Sequence, residues 1–69
     1  MSYKELDFKN ESSERICFLL EKEGSKDRIE LQKALGISEA DVVDALAELD
    51  DYKLIEKDGK YFYKLKEKF

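Results

Sequence analysis

The stretch Asp27–Leu49, DRIELQKALGISEADVVDALAEL, decides the fold of this chain. Asp27 begins a capping box, in which a cap residue and an acid three positions later start a helix. Ser38 repeats that pattern before a second run of apolar residues at helical spacing. Between the two runs stands Gly36, a residue type favoured at the left-handed end of a helix. We therefore predict two helices separated only by Gly36 and Ile37, a connection so short that the helices must cross steeply.

Upstream of this stretch, apolar residues at helical spacing predict a first helix over residues 12–23. Gly24 follows the last periodic residue and is expected to end the helix. The apolar face of this helix extends to Cys17 and Phe18. We therefore expect the first helix to be buried on more than one side.

Downstream of the stretch, the sequence predicts a β-hairpin over residues 54–65, because tyrosine and phenylalanine are frequent in its second arm. The pair Asp58-Gly59 suits a two-residue type I′ turn, in which both residues need positive φ. Such a turn places Lys57 directly opposite Lys60. The predicted class is therefore α+β, with three helices followed by a C-terminal two-stranded hairpin.

These elements predict one domain over residues 12–65, preceded by an arm at residues 1–11 and followed by a tail at residues 66–69. The arm is polar and is expected to lie on the domain. The aromatic residues near the two ends of the chain are Tyr3, Phe8 and Phe69. A shared patch of these rings is one way in which the chain could form a homodimer.

The composition of the chain excludes several classes of protein. Its 69 residues, with one cysteine and no histidine, rule out an intramolecular disulfide and a Cys/His zinc site. The sequence also has no glycine-rich phosphate loop, and so small a domain has little room for a substrate pocket. We therefore expect no enzymatic activity, no metal and no cofactor, and we see no sign of a small-molecule substrate.

The sequence also carries no signal for a membrane or for export. No segment has the roughly 18 to 20 consecutive apolar residues that span a bilayer. The first residues, MSYKE, lack the apolar core of a signal peptide. With a lone thiol as well, the chain is expected to be cytoplasmic and without membrane contact.

The order of these motifs resembles a winged helix-turn-helix domain. The resemblance is carried by the Leu-Gly-Ile-Ser run that ends at Ser38, by Val42 and the helix around it, by the pair Leu54-Ile55 and by the aromatic return strand. It covers residues 12–65. It implies a hairpin that acts as the wing, and a recognition helix after Ser38 that enters the major groove in small transcription regulators. Similar winged helices are also appended to replication machinery.

The position of Lys53 departs from this resemblance, because relatives often have glycine between the third helix and the Leu-Ile strand. A left-handed backbone at Lys53 would cost about 1–2 kcal/mol. Without it, the hairpin would leave the helix in another direction.

The predicted recognition helix lacks the chemistry that reads bases. Residues 38–51 contain six acids and no base, and carboxylates cannot pair with guanine O6 and N7 or with phosphate. The net charge of −4 divides into −7 over residues 1–51 and +3 over residues 52–69. Any phosphate contact is therefore expected on the hairpin rather than on the third helix.

The nucleic-acid-binding residues predicted from this charge pattern are Lys57, Lys60 and Lys64 on the hairpin, with Arg28 and Lys33 on the second helix as secondary candidates. The alternative for the hairpin lysines is that they prevent edge-to-edge aggregation. We expect Tyr61 and Tyr63 to pack against Leu54 and the third helix rather than to stack on bases. The predicted function is that of a DNA-associated protein, a small transcriptional regulator that touches the phosphates of double-stranded DNA through a basic wing.

The third helix predicts a second class of function. Its partner-binding candidates, which combine small apolar side chains with an acidic rim, are Glu39, Ala40, Val43, Asp44 and Ala47. This combination suits docking against a protein with a basic rim. Alternatively, Val43 turns into the core and the acids are simply solvated. The second predicted function is therefore a protein-interaction winged helix in a transcription, replication or mobile-element assembly, and a homodimer fits either class.

Overall fold

The computed structural model describes residues 6–66, which form three helices and three short strands. In chain order, these elements are α1 Glu11–Glu23, β1 Lys26–Asp27, α2 Arg28–Leu35, α3 Glu39–Asp51, β2 Ile55–Asp58 and β3 Phe62–Leu65. The α+β prediction is confirmed, and the order of helices and hairpin is consistent with a winged-helix topology. Tyr3 and Phe69, two of the three aromatic residues considered for a shared patch, lie outside the described residues.

The predicted start signals of α2 and α3 and the predicted end of α2 are confirmed. Asp27 accepts a hydrogen bond from the Glu30 backbone N–H at 2.7 Å, and the Glu30 carboxylate accepts one from the Asp27 N–H at 3.1 Å. Ser38 Oγ accepts from the Asp41 N–H at 3.1 Å. Gly36 is left-handed, with φ 65°. These local contacts fix where the two helices begin and how the chain turns between them.

The core lies between α1, α3 and the hairpin, with α2 packed against it. Its buried apolar residues are Ile16, Cys17, Leu20, Leu31, Val42, Ala45, Leu46, Leu49, Leu54 and Ile55. Leu31 is the one buried residue of α2, all of which the structure describes. The expectation that α1 is buried on more than one side is wrong for Phe18, which is 52% exposed beneath the Lys22 ammonium.

The sheet contains a strand that the sequence did not predict. Strand β1 pairs antiparallel with β3, so the strand order is β1-β3-β2 within the described part of the chain. Lys26 lies opposite Tyr63, and Asp27 lies opposite Phe62. The hairpin is therefore fastened to the start of α2, because Asp27 is both the end of β1 and the cap of that helix.

The predicted two-residue turn at Asp58-Gly59 is wrong. Asp58 pairs with Phe62, and Lys57 pairs with Tyr63 rather than with Lys60. The loop therefore contains three residues, with Gly59 at φ 87°.

Burial explains the observed register. The observed register sets Ile55 opposite Leu65, and both side chains contact the core together with Tyr63. The predicted turn would set Ile55 opposite Phe62, which is exposed. Because alternate residues of a strand face opposite sides, the choice of register decides which side chains reach the core.

Lys53 has a left-handed backbone, at φ 60°. This was one of the two alternatives left open by the resemblance to winged helices. Its N–H donates to the Asp50 carbonyl at 2.9 Å, and the Leu54 N–H donates to the Leu49 carbonyl at 3.0 Å. This is the hydrogen-bond pattern of a Schellman motif, with lysine in the position that usually holds glycine. Burial of Leu49 and Leu54 keeps the chain in this conformation.

We expect Lys53→Gly to raise the free energy of unfolding by about 1 kcal/mol, because glycine removes the left-handed strain and returns only part of it as backbone entropy. Urea unfolding measures the change. The matched control is Lys33→Gly within α2, which we expect to lose about 1 kcal/mol. Destabilisation by both substitutions would contradict the account of Lys53.

The described part of the arm, residues 6–10, lies on the C-terminal half of α3. Leu6 and Phe8 pack against the core, and the Phe8 ring meets the Tyr52 ring edge-on at 5.6 Å between centroids. The Tyr52 hydroxyl donates to the Asp7 carbonyl at 3.2 Å. Among all the described residues, 6–66, no helix is long and apolar enough to cross a membrane.

Glu48 joins the arm and α1 to α3. Its carboxylate accepts from Ser13 Oγ at 2.6 Å, from the Lys9 N–H at 2.7 Å and from the Asn10 N–H at 3.2 Å. Partial burial raises the pKa of Glu48, but these hydrogen bonds outweigh it and hold the pKa below its ordinary value of 4.5. One of the six acids counted on α3 is therefore a structural contact and does not belong to its solvated face.

Candidate interaction surface

The outward face of α3 is exposed and partly apolar. Val42 is buried, whereas Val43 is 43% exposed. The alternative in which Val43 turns into the core is therefore wrong. The reason is helical geometry, because Val42 shares its side of the helix with Ala45 and Leu49, and the next residue lies about 100° away.

A groove runs between this face of α3 and the hairpin. Leu46 and Ile55, both almost fully buried, lie at its base, and its sides include Val43, Ala47 and Tyr63. The groove has a volume of about 320 Å³. We call it the α3–hairpin groove.

Both signs of charge border the α3–hairpin groove. Arg28 and Lys57 supply the cations, and Asp50 and Glu56 supply the carboxylates. Arg28 also contacts Glu39, the first residue of α3, at 3.7 Å between Nη2 and Oε1. The groove therefore has an apolar centre and a mixed-charge border.

A second hollow, of about 470 Å³, lies between the start of α2 and the end of the hairpin. We call it the tip hollow. Ile29, which is 59% exposed, and Tyr61, which is 66% exposed, line it together with Lys60. Its remaining lining residues are Asp27, Arg28, Lys57 and Tyr63. Because Arg28, Lys57 and Tyr63 also line the α3–hairpin groove, the two form one continuous surface.

The structure brings together three of the five cations predicted to contact nucleic acid. Arg28, Lys57 and Lys60 all line the tip hollow. The Lys57 ammonium lies 4.4 Å from the centre of the Tyr63 ring, and the Lys60 ammonium lies 5.6 Å from that of Tyr61. These rings hold the lysine side chains along the surface.

The other two predicted cations lie elsewhere. Lys64 contacts Glu56 at 3.8 Å, and its pairing with Glu56 puts it on the face of the hairpin opposite to Lys57. Lys33 is exposed on α2, five residues beyond Arg28 and so about 140° around that helix. The predicted nucleic-acid set is therefore divided among three faces of the domain.

The predicted partner-binding set is divided as well. Val43 and Ala47 line the α3–hairpin groove. Asp44 lies on the other side of α3, in a hollow that it shares with Lys9 and Tyr52. Ala40 and Glu39 are exposed in the first turns of α3.

Most of the other lining residues of this surface were not among the predicted site residues, Ile29, Tyr61 and Ile55 among them. Tyr61 was expected to pack against Leu54, but both Tyr61 and Ile29 are exposed. Ile55 reaches the groove because of the observed register. Tyr63 does contact the core, as predicted.

Cys17 is fully buried in the core. Burial, with the charges of Glu14 and Glu21, raises the pKa of the Cys17 thiol to about 12, so Cys17 stays protonated and inaccessible. Within residues 6–66, no three acidic or cysteine side chains converge as metal ligands would.

Comparison of the chain with protein-family models, with curated proteins and with solved structures found no match.

Proposed function

We propose that this chain is a protein-interaction domain that docks its partner in the α3–hairpin groove. The observation that carries the proposal is the continuity of apolar side chains along one side of the domain, from the exposed Val43 through the half-buried Tyr63 to the exposed Tyr61 and Ile29. Contiguous apolar surface with a polar border is typical of protein contacts. Leu46 and Ile55, which are almost fully buried, form the base of the groove beneath this apolar surface.

The charges of α3 favour a protein partner over the major groove of DNA. Asp50 lines the groove, and Glu56 borders it from the hairpin. Glu39 lies beside the groove, in contact with Arg28. A phosphate backbone brought to this side would meet these carboxylates within a Debye length of about 10 Å. An apolar protein segment with charges of both signs meets no such barrier.

The topology supports a finer assignment within this proposal, to winged-helix domains of the regulator-like or replication-associated kind. Three helices followed by a hairpin, with a steep turn between α2 and α3, is the arrangement that such domains use. In this assignment, α3 occupies the place of a recognition helix but binds protein. The setting we propose is a transcription, replication or mobile-element assembly.

Val43→Glu tests the docking role. The substitution puts a carboxylate on the α3 side of the groove, at an exposed position outside the core, so we expect the chain to stay folded and to lose its partner. Affinity purification of the tagged chain from cells of its source measures the partner, and circular dichroism measures the fold. Phe18→Glu is the matched control, because Phe18 is exposed on α1 away from the groove. Equal partner recovery with both variants would contradict the proposal.

Duplex DNA is a second candidate, favoured by the convergence of Arg28, Lys57 and Lys60 at the tip hollow. Three phosphate contacts predict that affinity falls about forty-fold between 50 and 200 mM salt. Lys57→Glu with Lys60→Glu should abolish this binding, whereas Lys33→Glu should change it little. Fluorescence anisotropy with a labelled duplex measures it, and an absence of binding at 50 mM salt would exclude this candidate.

A further inference from the structure

We propose that the tip hollow binds single-stranded nucleic acid, with a base stacked on Tyr61 and the neighbouring phosphates on the ammonium groups of Lys57 and Lys60. The inference goes beyond the protein contact proposed for the α3–hairpin groove and does not depend on it. It also differs from the duplex candidate, because its basis is an exposed aromatic ring as well as positive charge.

The tip hollow carries positive charge that is not paired with acids. Within the part of the chain that the structure describes, Lys57 and Lys60 form no ion pair, whereas Arg28 is already paired with Glu39. One carboxylate lines the hollow, that of Asp27, and it is engaged as the cap of α2. The partial positive charge at the start of that helix offsets part of the Asp27 charge. The surplus charge therefore rests on the two lysines and fits an anionic ligand.

Each of these lysines lies beside an aromatic ring. The Lys57 ammonium is 4.4 Å from the centre of the Tyr63 ring, and the Lys60 ammonium is 5.6 Å from that of Tyr61. Cation and ring therefore stand together twice within the hollow. A single strand of nucleic acid alternates phosphate and base in the same way, so both kinds of group in the ligand find a partner.

The Tyr61 ring is available for stacking. It is 66% exposed even with Lys60 beside it, and it does not belong to the apolar cluster of the core. Ile29, 59% exposed, lines the same hollow from α2 and offers apolar surface to the base or its sugar. Proteins that bind single strands combine such exposed rings with cations that follow the phosphates.

The exposed ring favours a single strand over a duplex or an acidic peptide. The bases of a duplex are paired and stacked within it, so Tyr61 could not reach their faces and only the lysines would contribute. An acidic peptide would meet the lysines but lacks the regular alternation of anion and ring. The volume of the hollow, about 470 Å³, lies within the range of small-ligand sites and suits one nucleotide.

Binding of a labelled oligothymidylate of about twelve nucleotides tests the inference. We expect fluorescence anisotropy to give a Kd on the order of 100 µM or tighter at 50 mM salt. Two phosphate contacts predict that affinity falls about sevenfold between 50 and 200 mM salt. An abasic strand with the same number of phosphates is the matched ligand, and we expect it to bind about tenfold more weakly because it cannot stack. A duplex of the same length should also bind more weakly than the single strand.

Substitutions of Tyr61 isolate the stacking contact. We expect Tyr61→Ala to raise the Kd about tenfold, and Tyr61→Phe, which keeps the ring, to leave it within about twofold. Phe18→Ala is the matched control, since it removes an exposed ring on α1 that does not line the hollow. Circular dichroism checks that each variant is folded.

Reversal of one charge isolates the phosphate contact. We expect Lys60→Glu to weaken binding about tenfold or more, because it replaces attraction by repulsion. Lys33→Glu makes the same change of charge at an exposed position of α2 outside the hollow, and it should have little effect.

An absence of oligothymidylate binding at 50 mM salt would overturn the inference. Equal binding of the abasic strand, or tighter binding of the duplex, would overturn it as well. Displacement of the oligothymidylate by an equal concentration of charge as polyglutamate would assign the hollow to an acidic polypeptide instead. None of these results bears on the Val43→Glu purification, so failure here and failure of the proposed function are separable.

Discussion

Leu31→Ala is expected to lower the free energy of unfolding by about 3 kcal/mol, because it deletes a fully buried side chain and leaves a cavity. Leu31 is the one buried residue of α2, and the structure describes that helix throughout. A helix of eight residues does not hold itself together in water, so α2 depends on this contact. The loss is a large part of the total stability of so small a domain.

The same substitution should disturb the interaction surface. Arg28 and Ile29 stand in the first turn of α2, and their place in the tip hollow depends on the docking of that helix. Urea unfolding measures the stability, and amide exchange measures the opening of α2. The control is Ile29→Ala on the same helix, which we expect to change stability by about 0.5 kcal/mol or less. Equal losses from the buried and the exposed positions would contradict the packing of α2.

Glu48→Ala is expected to lower the free energy of unfolding by about 2 kcal/mol, since it leaves polar groups without their acceptor. Ser13 is fully buried and donates to this carboxylate, and the Lys9 and Asn10 N–H groups donate to it as well. Asp44→Ala, at an exposed position of the same helix, is the matched control and should cost little. Equal effects at both positions would show that Glu48 is only a surface acid.

Glu48 also predicts a dependence on pH. Because the pKa of Glu48 is lower in the folded chain than its ordinary value of 4.5, its charged form is favoured by folding. The stabilisation is complete above that ordinary value and is lost as the pH falls through the lower, folded value. We expect wild type to lose more stability than Glu48→Gln as the pH falls below about 5. The free energy of unfolding, measured at a series of pH values, gives the difference. Parallel pH profiles would contradict the lowered pKa.

Features set by neighbouring residues could be predicted from the sequence. The caps at Asp27 and Ser38 and the turn at Gly36 each depend on residues a few positions away, and all three are confirmed. The left-handed Lys53 stood as one of two alternatives, because the burial of Leu54 that holds it is a tertiary contact.

The hairpin register could not be predicted from its turn residues, because distant contacts decide it. Pairing of β3 with β1 and burial of Ile55 outweigh the local preference of Asp-Gly for a two-residue turn. The error matters for the site. In the predicted register Lys57 and Lys64 share a face, whereas the observed register differs by an odd number of residues and separates them.

The interaction surface could be predicted only in part, because contacts between separate elements also decide which residues line it. Val43 and Ala47 could be found because helical spacing places them together on α3. The contribution of the hairpin and of Arg28 depends on how three elements meet, which spacing within one element does not contain. Ile29 lies about 200° around α2 from Leu31, so it is exposed because Leu31 faces the core.

The central claim is that the α3–hairpin groove contacts protein, and photo-crosslinking in cells of the source tests it most directly. A photoreactive phenylalanine replaces Asp50, which is exposed and lines the groove from α3, or Phe18, which is exposed on α1. After irradiation, the tagged chain is analysed by denaturing electrophoresis and mass spectrometry. The account predicts a discrete protein adduct, either with a second copy or with another chain, from position 50 and none from position 18. A nucleic-acid adduct alone, or the same yield from both positions, would contradict it.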